Sequence, residues 1–178
     1  LDGSTFFAEV IAKEILIDDK SVTQVLFNDI SIRIETEKTI SLLNERYDLA
    51  ISAAQLGVWD RDISENKLIW NERMFEIYGI SKNEFNNTPE AWFKCIYPDD
   101  IENVVKELNL AIKGIKTYNT SFRIKTPDSN IRYIKAFGRV TMAPDGKPIR
   151  MTGINYDISE QKIAEGKIIK THSRAIII

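Results

Sequence analysis

Asp99 and Asp100 stand side by side after Pro98, and two adjacent carboxylates are a candidate for general acid–base work. The position reads better as a helix start. Glu102 follows Asp99 by three residues, the spacing of a capping box, and carboxylates there satisfy free backbone N–H groups and face the positive helix end. Asp60 and Asp62 alternate along an extended run, so they share one face of a strand, a solvent face, with no His or Cys nearby to complete a nucleophile and base. The single cysteine, Cys95, lies in Trp92-Phe93-Lys94-Cys95-Ile96, where a small apolar thiol packs readily and a buried one is inert. One cysteine and one histidine, His172, make neither a disulfide nor a structural zinc site. No catalytic residue, no metal site and no enzymatic activity are expected of this segment.

The elements that would position these residues belong to an ordinary globular chain of 178 residues, 43% hydrophobic and 28% charged. Lys and Arg number 24 against 26 for Asp and Glu, and a net charge of −2 offers no electrostatic footprint for nucleic acid. The longest apolar run, Ala175–Ile178, is far below the roughly 20 residues that cross a bilayer, so no membrane span is expected within the segment. A reducing, cytoplasmic setting fits the lone cysteine. The chain opens on Leu1 inside what reads as a turn and a strand, which suggests a piece of a longer polypeptide, including the cytoplasmic part of a membrane-anchored one.

An internal repeat organises the sequence. Asp29-Ile30-Ser31 returns as Asp157-Ile158-Ser159, Asp18-Asp19-Lys20 as Asp145-Gly146-Lys147, and Asp2-Gly3 as Asp128-Ser129, at offsets of 128, 127 and 126 residues. Residues 1–31 therefore read as the last two strands of one domain. Residues 32–54 follow as a linker helix, 55–160 as a complete second domain and 161–178 as an exit helix. The linker carries Thr36, Ile40, Leu43, Tyr47, Ala50 and Ala54 at alternating spacings of four and three, an a/d seam. In the second domain, strand runs at 57–63 and 67–70 flank a turn, and Asn71 to Tyr78 is helical and stops at Gly79. Ser81 with Glu84 and Asp99 with Glu102 each predict a further helix start, the second helix burying Ile101, Val104, Val105, Leu108 and Ile112. Strands at 118–125, 131–142 and 149–156 complete the order. Without parallel crossovers, this is an α+β fold: an antiparallel five-stranded sheet with helices on one side.

Those residues resemble the PAS domain. The family's GxWDWDI…xxxW strand pair appears as Gly57-Val58-Trp59-Asp60-Arg61-Asp62-Ile63 with Leu68-Ile69-Trp70, and its HPDD as Tyr97-Pro98-Asp99-Asp100. Its DG-x-x-RW appears as Asp128-Ser129-Asn130-Ile131-Arg132-Tyr133, and its closing motif as Gly153-Ile154-Asn155-Tyr156-Asp157-Ile158-Ser159-Glu160-Gln161-Lys162. Departures are Arg61 for a Trp, Tyr97 for the His and Ser129 for the Gly. The resemblance implies a cytoplasmic sensory module upstream of a histidine kinase, a diguanylate cyclase or a transcription regulator. Light-sensing relatives carry a reactive Cys in an NCRFLQ-like motif that is absent here, and haem-binding relatives an axial His before the third strand, far from His172. Neither flavin nor haem is expected.

The resemblance places a candidate ligand pocket between sheet and helices, lined by Trp59, Phe75, Tyr78, Phe93 and Phe122, with Asn155, Thr120 or Arg132 as polar groups. A signal junction is expected at Asp157, Ser159 and Lys162, where Asp157 and Glu160 cap the exit helix. A homodimer is expected along Ile40, Leu43, Tyr47 and Ala50, a phase the repeat carries onto Ala164, Ile168, Thr171, Ala175 and Ile178. The apolar hairpin face of Phe6, Val10, Val25 and Phe27 is expected to be covered. The function implied is a non-enzymatic relay to a C-terminal output domain; the alternative is a receptor holding a small organic molecule.

Overall fold

The computed structural model describes residues 5–165 apart from residue 19, in two compact units that divide between residues 50 and 51. In the first unit, β1 (Ala8–Ile17) and β2 (Lys20–Asp29) form an antiparallel hairpin in register from Ala8 opposite Asp29 to Ile17 opposite Lys20. Its Val and Phe side chains and most of its Ile are exposed, Phe27 at 71%, as is Phe6 just before it at 65%. Helix α1 (Ser31–Ala53) follows and begins five residues before the a/d seam, at a start where Asp29 Oδ1 accepts from Ser31 N–H at 2.9 Å. No residue of α1 is buried. The exit-helix positions Ile168, Thr171, His172, Ala175 and Ile178, like Asp2, Gly3 and Asp19 of the repeat, lie outside the described residues.

The second unit runs β3 (Gly57–Asp62), β4 (Lys67–Trp70), α2 (Glu72–Tyr78), α3 (Pro89–Phe93), a 3-10 turn (Pro98–Asp100), α4 (Ile101–Ile112), β5 (Tyr118–Lys125), β6 (Ile131–Met142) and β7 (Pro148–Asp157). The sheet order is β4-β3-β7-β6-β5, antiparallel throughout, so the first and last strands of the domain meet at its centre. A helix α5 (159–165) leaves β7. Among the described residues no helix is long and apolar enough to cross a membrane.

Local rules account for most boundaries. Asn71 caps α2 by accepting from Met74 N–H, and Gly79 closes it in the left-handed conformation at φ 66°. Every second residue of β5 is buried, which makes Tyr118, Thr120, Phe122 and Ile124 one wall of the core.

Three expectations are corrected. Ser81 and Glu84 form the reciprocal backbone contacts of a capping box, yet only a turn follows. The helix starts instead at Thr88, with Pro89 in its first turn. On α4 the buried residues are Val104, Leu108 and Ala111, while Ile101 and Val105 at its rim stay partly open to solvent. Asp99 and Asp100 make no side-chain cap. Asp100 is instead clamped by Arg123 of β5: it accepts from the Arg123 backbone N–H at 2.6 Å, from Nε at 3.0 Å and from a terminal guanidinium nitrogen at 2.6 Å. A bidentate guanidinium is a stronger partner for a carboxylate than one helix-end amide. The same guanidinium lies 4.2 Å from the centroid of the Tyr97 ring, so the aromatic that stands where the family has His joins the clamp.

The Arg123 hydrogen bonds hold the Asp100 pKa below the usual carboxylate value, against a smaller opposing effect of burial. A folded-state pKa below the unfolded one adds stability that is fully present above about pH 4 and is lost as pH falls through the folded value. Urea midpoints measured from pH 6 down to pH 2.5 are expected to fall more steeply for the parent than for Asp100→Asn, with the two lines converging at the acid end.

Candidate functional site

Strand alternation decides which side chains reach the interior. On β3, Trp59 and Arg61 turn to the helix-covered face, while Asp60 and Asp62 turn away. Asp60 is not free in solvent: Oδ1 accepts from Arg150 Nε at 2.8 Å across to β7. Asp62 Oδ1 accepts from Glu65 N–H in the following turn.

Between sheet and helices lies a cavity of about 30 Å³, walled by Trp59 and Arg61 of β3, Trp70 of β4, Tyr118 of β5 and Asn155 of β7, with Met74, Trp92 and Leu108 closing the helical side. One hydrogen-bonded chain crosses it. Trp59 Nε1 donates to Asn155 Oδ1 at 2.9 Å, and Asn155 Nδ2 donates to Tyr78 Oη at 2.9 Å. Trp92 Nε1 donates to the same hydroxyl at 3.0 Å. The chain links β3, β7, α2 and α3, and Asn155 and Tyr78 at its centre are fully buried. Burial pushes the Tyr78 pKa far up, so the hydroxyl stays neutral.

Of the residues expected at a pocket, Trp59 and Asn155 line the cavity, and Tyr78 anchors it through Asn155. Phe75 is packed edge-on against Trp70, Phe122 against Trp92, and Phe93 is half-buried beside Trp92. None of these three lines the cavity. Thr120 is buried on β5, and Arg132 carries its guanidinium away to the last turn of α2, donating to the carbonyls of Glu76 and Ile77 at 2.8 and 2.7 Å. Arg61, Trp70 and Tyr118 were missed as lining residues. Their signal was present: once Trp59 faces inward, Arg61 two residues on must follow, and Trp70 is the register partner of Trp59. Cys95 is buried, its Sγ donates to the Ala91 carbonyl at 3.3 Å, and burial pushes its pKa up to about 11. Among the described residues no His, Cys, Asp and Glu cluster could hold a metal ion.

At the end of β7, Asp157 Oδ1 accepts from Ser159 N–H at 2.8 Å, Ser159 Oγ accepts from Tyr133 N–H at 2.8 Å, and Ile158 N–H donates to the Tyr133 carbonyl at 2.8 Å. The head of α1 repeats this arrangement. Asp29 accepts from Ser31 N–H, Ser31 Oγ from Phe7 N–H and the Phe7 carbonyl from Ile30 N–H, each at 2.9 Å. Glu160 makes no reciprocal cap bond among the described residues, and Lys162 pairs instead with Glu165 at 2.9 Å. Ile40, Leu43, Tyr47 and Ala50 are all exposed, Leu43 at 45% and Tyr47 at 65%.

A family model described as PAS fold matches residues 67–155, half of the chain. The chain belongs to the PAS family. It is 31% identical over 134 residues to a probable diguanylate cyclase, DgcE, of Escherichia coli K12, covering 75% of this chain and 12% of that protein. It is 24% identical over 135 residues to the sensor protein FixL of Bradyrhizobium diazoefficiens, covering 75% of this chain and 26% of that protein. The PAS chain thus spans a small part of the curated relatives it matches. A sensory box histidine kinase/response regulator from Burkholderia thailandensis has the same fold, with a TM-score of 0.64 at 24% identity over 75% of this chain and 99% of that one. PAS domains are sensory modules rather than catalysts, and this chain carries one.

Proposed function

We propose that this chain is the tandem PAS region of a cytoplasmic sensor of the histidine kinase or diguanylate cyclase type, and that it works as a homodimer. Without catalysing a reaction, it relays conformational change through its flanking helices to a C-terminal output domain. The observation that carries this reading is the junction that occurs twice, Asp29/Ser31/Phe7 and Asp157/Ser159/Tyr133, with the same three hydrogen bonds. The later helix start is bonded to the backbone of β6 and the earlier one to Phe7, the residue before β1, so a shift of that backbone moves the first turn of the helix with it. Kinship over 75% of the chain with the E. coli cyclase supports the output class.

The exposed a/d seam of α1 supports parallel helices in the dimer. In sedimentation experiments the parent is expected to be dimeric, and Ile40→Glu combined with Leu43→Glu to be monomeric. Charge in the seam weakens dimerisation by about 100-fold or more, since desolvating it costs several kcal/mol and about 1.4 kcal/mol is tenfold. A double variant as dimeric as the parent, or a parent monomeric at high concentration, overturns the dimer.

A second reading, a receptor domain holding a small molecule, is favoured by one observation: three buried polar atoms without partners among the described residues all belong to residues of the same cavity. Neither reading includes flavin or haem, for which the sequence lacks an NCRFLQ-like motif and a histidine before the third strand.

A further inference from the structure

The three atoms are Arg61 Nε, Trp70 Nε1 and Tyr118 Oη, and none has a hydrogen-bond partner among the described residues. Trp70 and Tyr118 are 6% and 1% exposed. A guanidinium nitrogen and an indole nitrogen only donate, and the Tyr118 hydroxyl, kept neutral by burial, donates its proton. Of the acceptors nearby, Asn155 Oδ1 already takes Trp59 and Tyr78 Oη takes both Asn155 and Trp92. Arg61 is partly buried without a salt bridge among the described residues, and desolvation lowers its pKa against the pull of Glu90. Register makes Arg61 and Trp70 diagonal neighbours on the inner face, because Arg61 pairs with Leu68. Three donors unpaired among the described residues, one of them on a cation, call for a ligand that brings acceptors and negative charge. The rest of the wall is Leu68, Met74, Leu108 and Met151, which suits a short hydrocarbon tail. The cavity has room for only a few heavy atoms.

We propose that the cavity binds a short-chain monocarboxylate, its carboxylate held by Arg61, Trp70 and Tyr118 and its alkyl end against Leu68, Met74, Leu108 and Met151. This rests on the receptor reading and specifies its ligand class. The three tryptophans of the chain, Trp59, Trp70 and Trp92, all line the cavity, so tryptophan fluorescence reports on its wall. The chain is titrated with sodium propionate at constant ionic strength, beside propionamide, which has the same shape without charge, and inorganic phosphate. A saturable change with propionate in the millimolar range or below, and none with the other two, is expected. Arg61→Met, which keeps the volume and removes an unpaired charge, should raise the half-saturating concentration about tenfold or more, and Tyr118→Phe should raise it by a smaller factor. An equal response to propionamide or phosphate, or an Arg61→Met response like the parent's, overturns the carboxylate assignment. Native mass spectrometry of the purified chain separates the two levels. A bound species alongside a silent propionate titration removes the carboxylate and leaves the receptor; a bare chain and silent titrations remove both.

Discussion

Gly153→Ala is expected to lower the stability of the PAS domain by about 3 kcal/mol or more, a fall in Tm of about 10 °C or more. A Cβ on Gly153 would collide with the Phe137 carbonyl oxygen and with the Trp59 indole. Neither neighbour can give. The carbonyl belongs to β6, paired along its length with β7, and the indole is fixed by its bond to Asn155 and by an edge-on contact with Tyr118 at 6.2 Å. Gly138, the register partner of Gly153, meets the adjoining atoms of the same indole edge, so Trp59 lies across two glycines of adjacent strands. Gly146→Ala separates sterics from backbone strain. That glycine has φ 81° with no atom near its missing Cβ, so only the left-handed conformation is penalised, at about 1 kcal/mol. Thermal melts of the two variants beside the parent check the ranking, and a Gly153→Ala melt at or above that of Gly146→Ala contradicts it.

Asn155→Leu, which has the branching and heavy-atom count of Asn, is expected to cost about 3 kcal/mol in urea unfolding. It strands the Trp59 N–H in the core and takes one of two donors from the Tyr78 hydroxyl. Tyr78→Phe strands the Trp92 and Asn155 N–H groups in the same way. The two substitutions share one hydrogen bond, so a double-mutant cycle should show non-additivity of about 1 kcal/mol or more. Strict additivity would mean that the four side chains do not act as one network.

Both effects sit at residues with different visibility in the sequence. Gly153 stands inside a recognisable closing motif, and Trp59 inside the opening one, but that they touch follows only from β3 pairing with β7 at the sheet centre. Asp100 shows the difference most sharply. Its local setting, after Pro98 and before an amphipathic run, describes a cap, and its actual partner is Arg123, 23 residues on, brought alongside by the contact between the 95–97 segment and β5. Ser81 and Glu84 show the converse, since their capping contacts form and no helix follows.

What could be read along the chain is what short-range physics governs: the period-2 burial of β5, the stop of α2 at Gly79, the hairpin of β1 and β2, and a repeat whose two junctions carry the same three hydrogen bonds. These depend on residues within one element or one turn of each other, or on a motif written twice. Which aromatics fill the core and which line a cavity, why Arg132 leaves the sheet for the end of α2, and why Arg61, Trp70 and Tyr118 line one cavity with donors unpaired among the described residues were decided by tertiary packing. Side chains far apart in the chain meet there at distances set by sheet order and helix placement, and no local pattern encodes those distances.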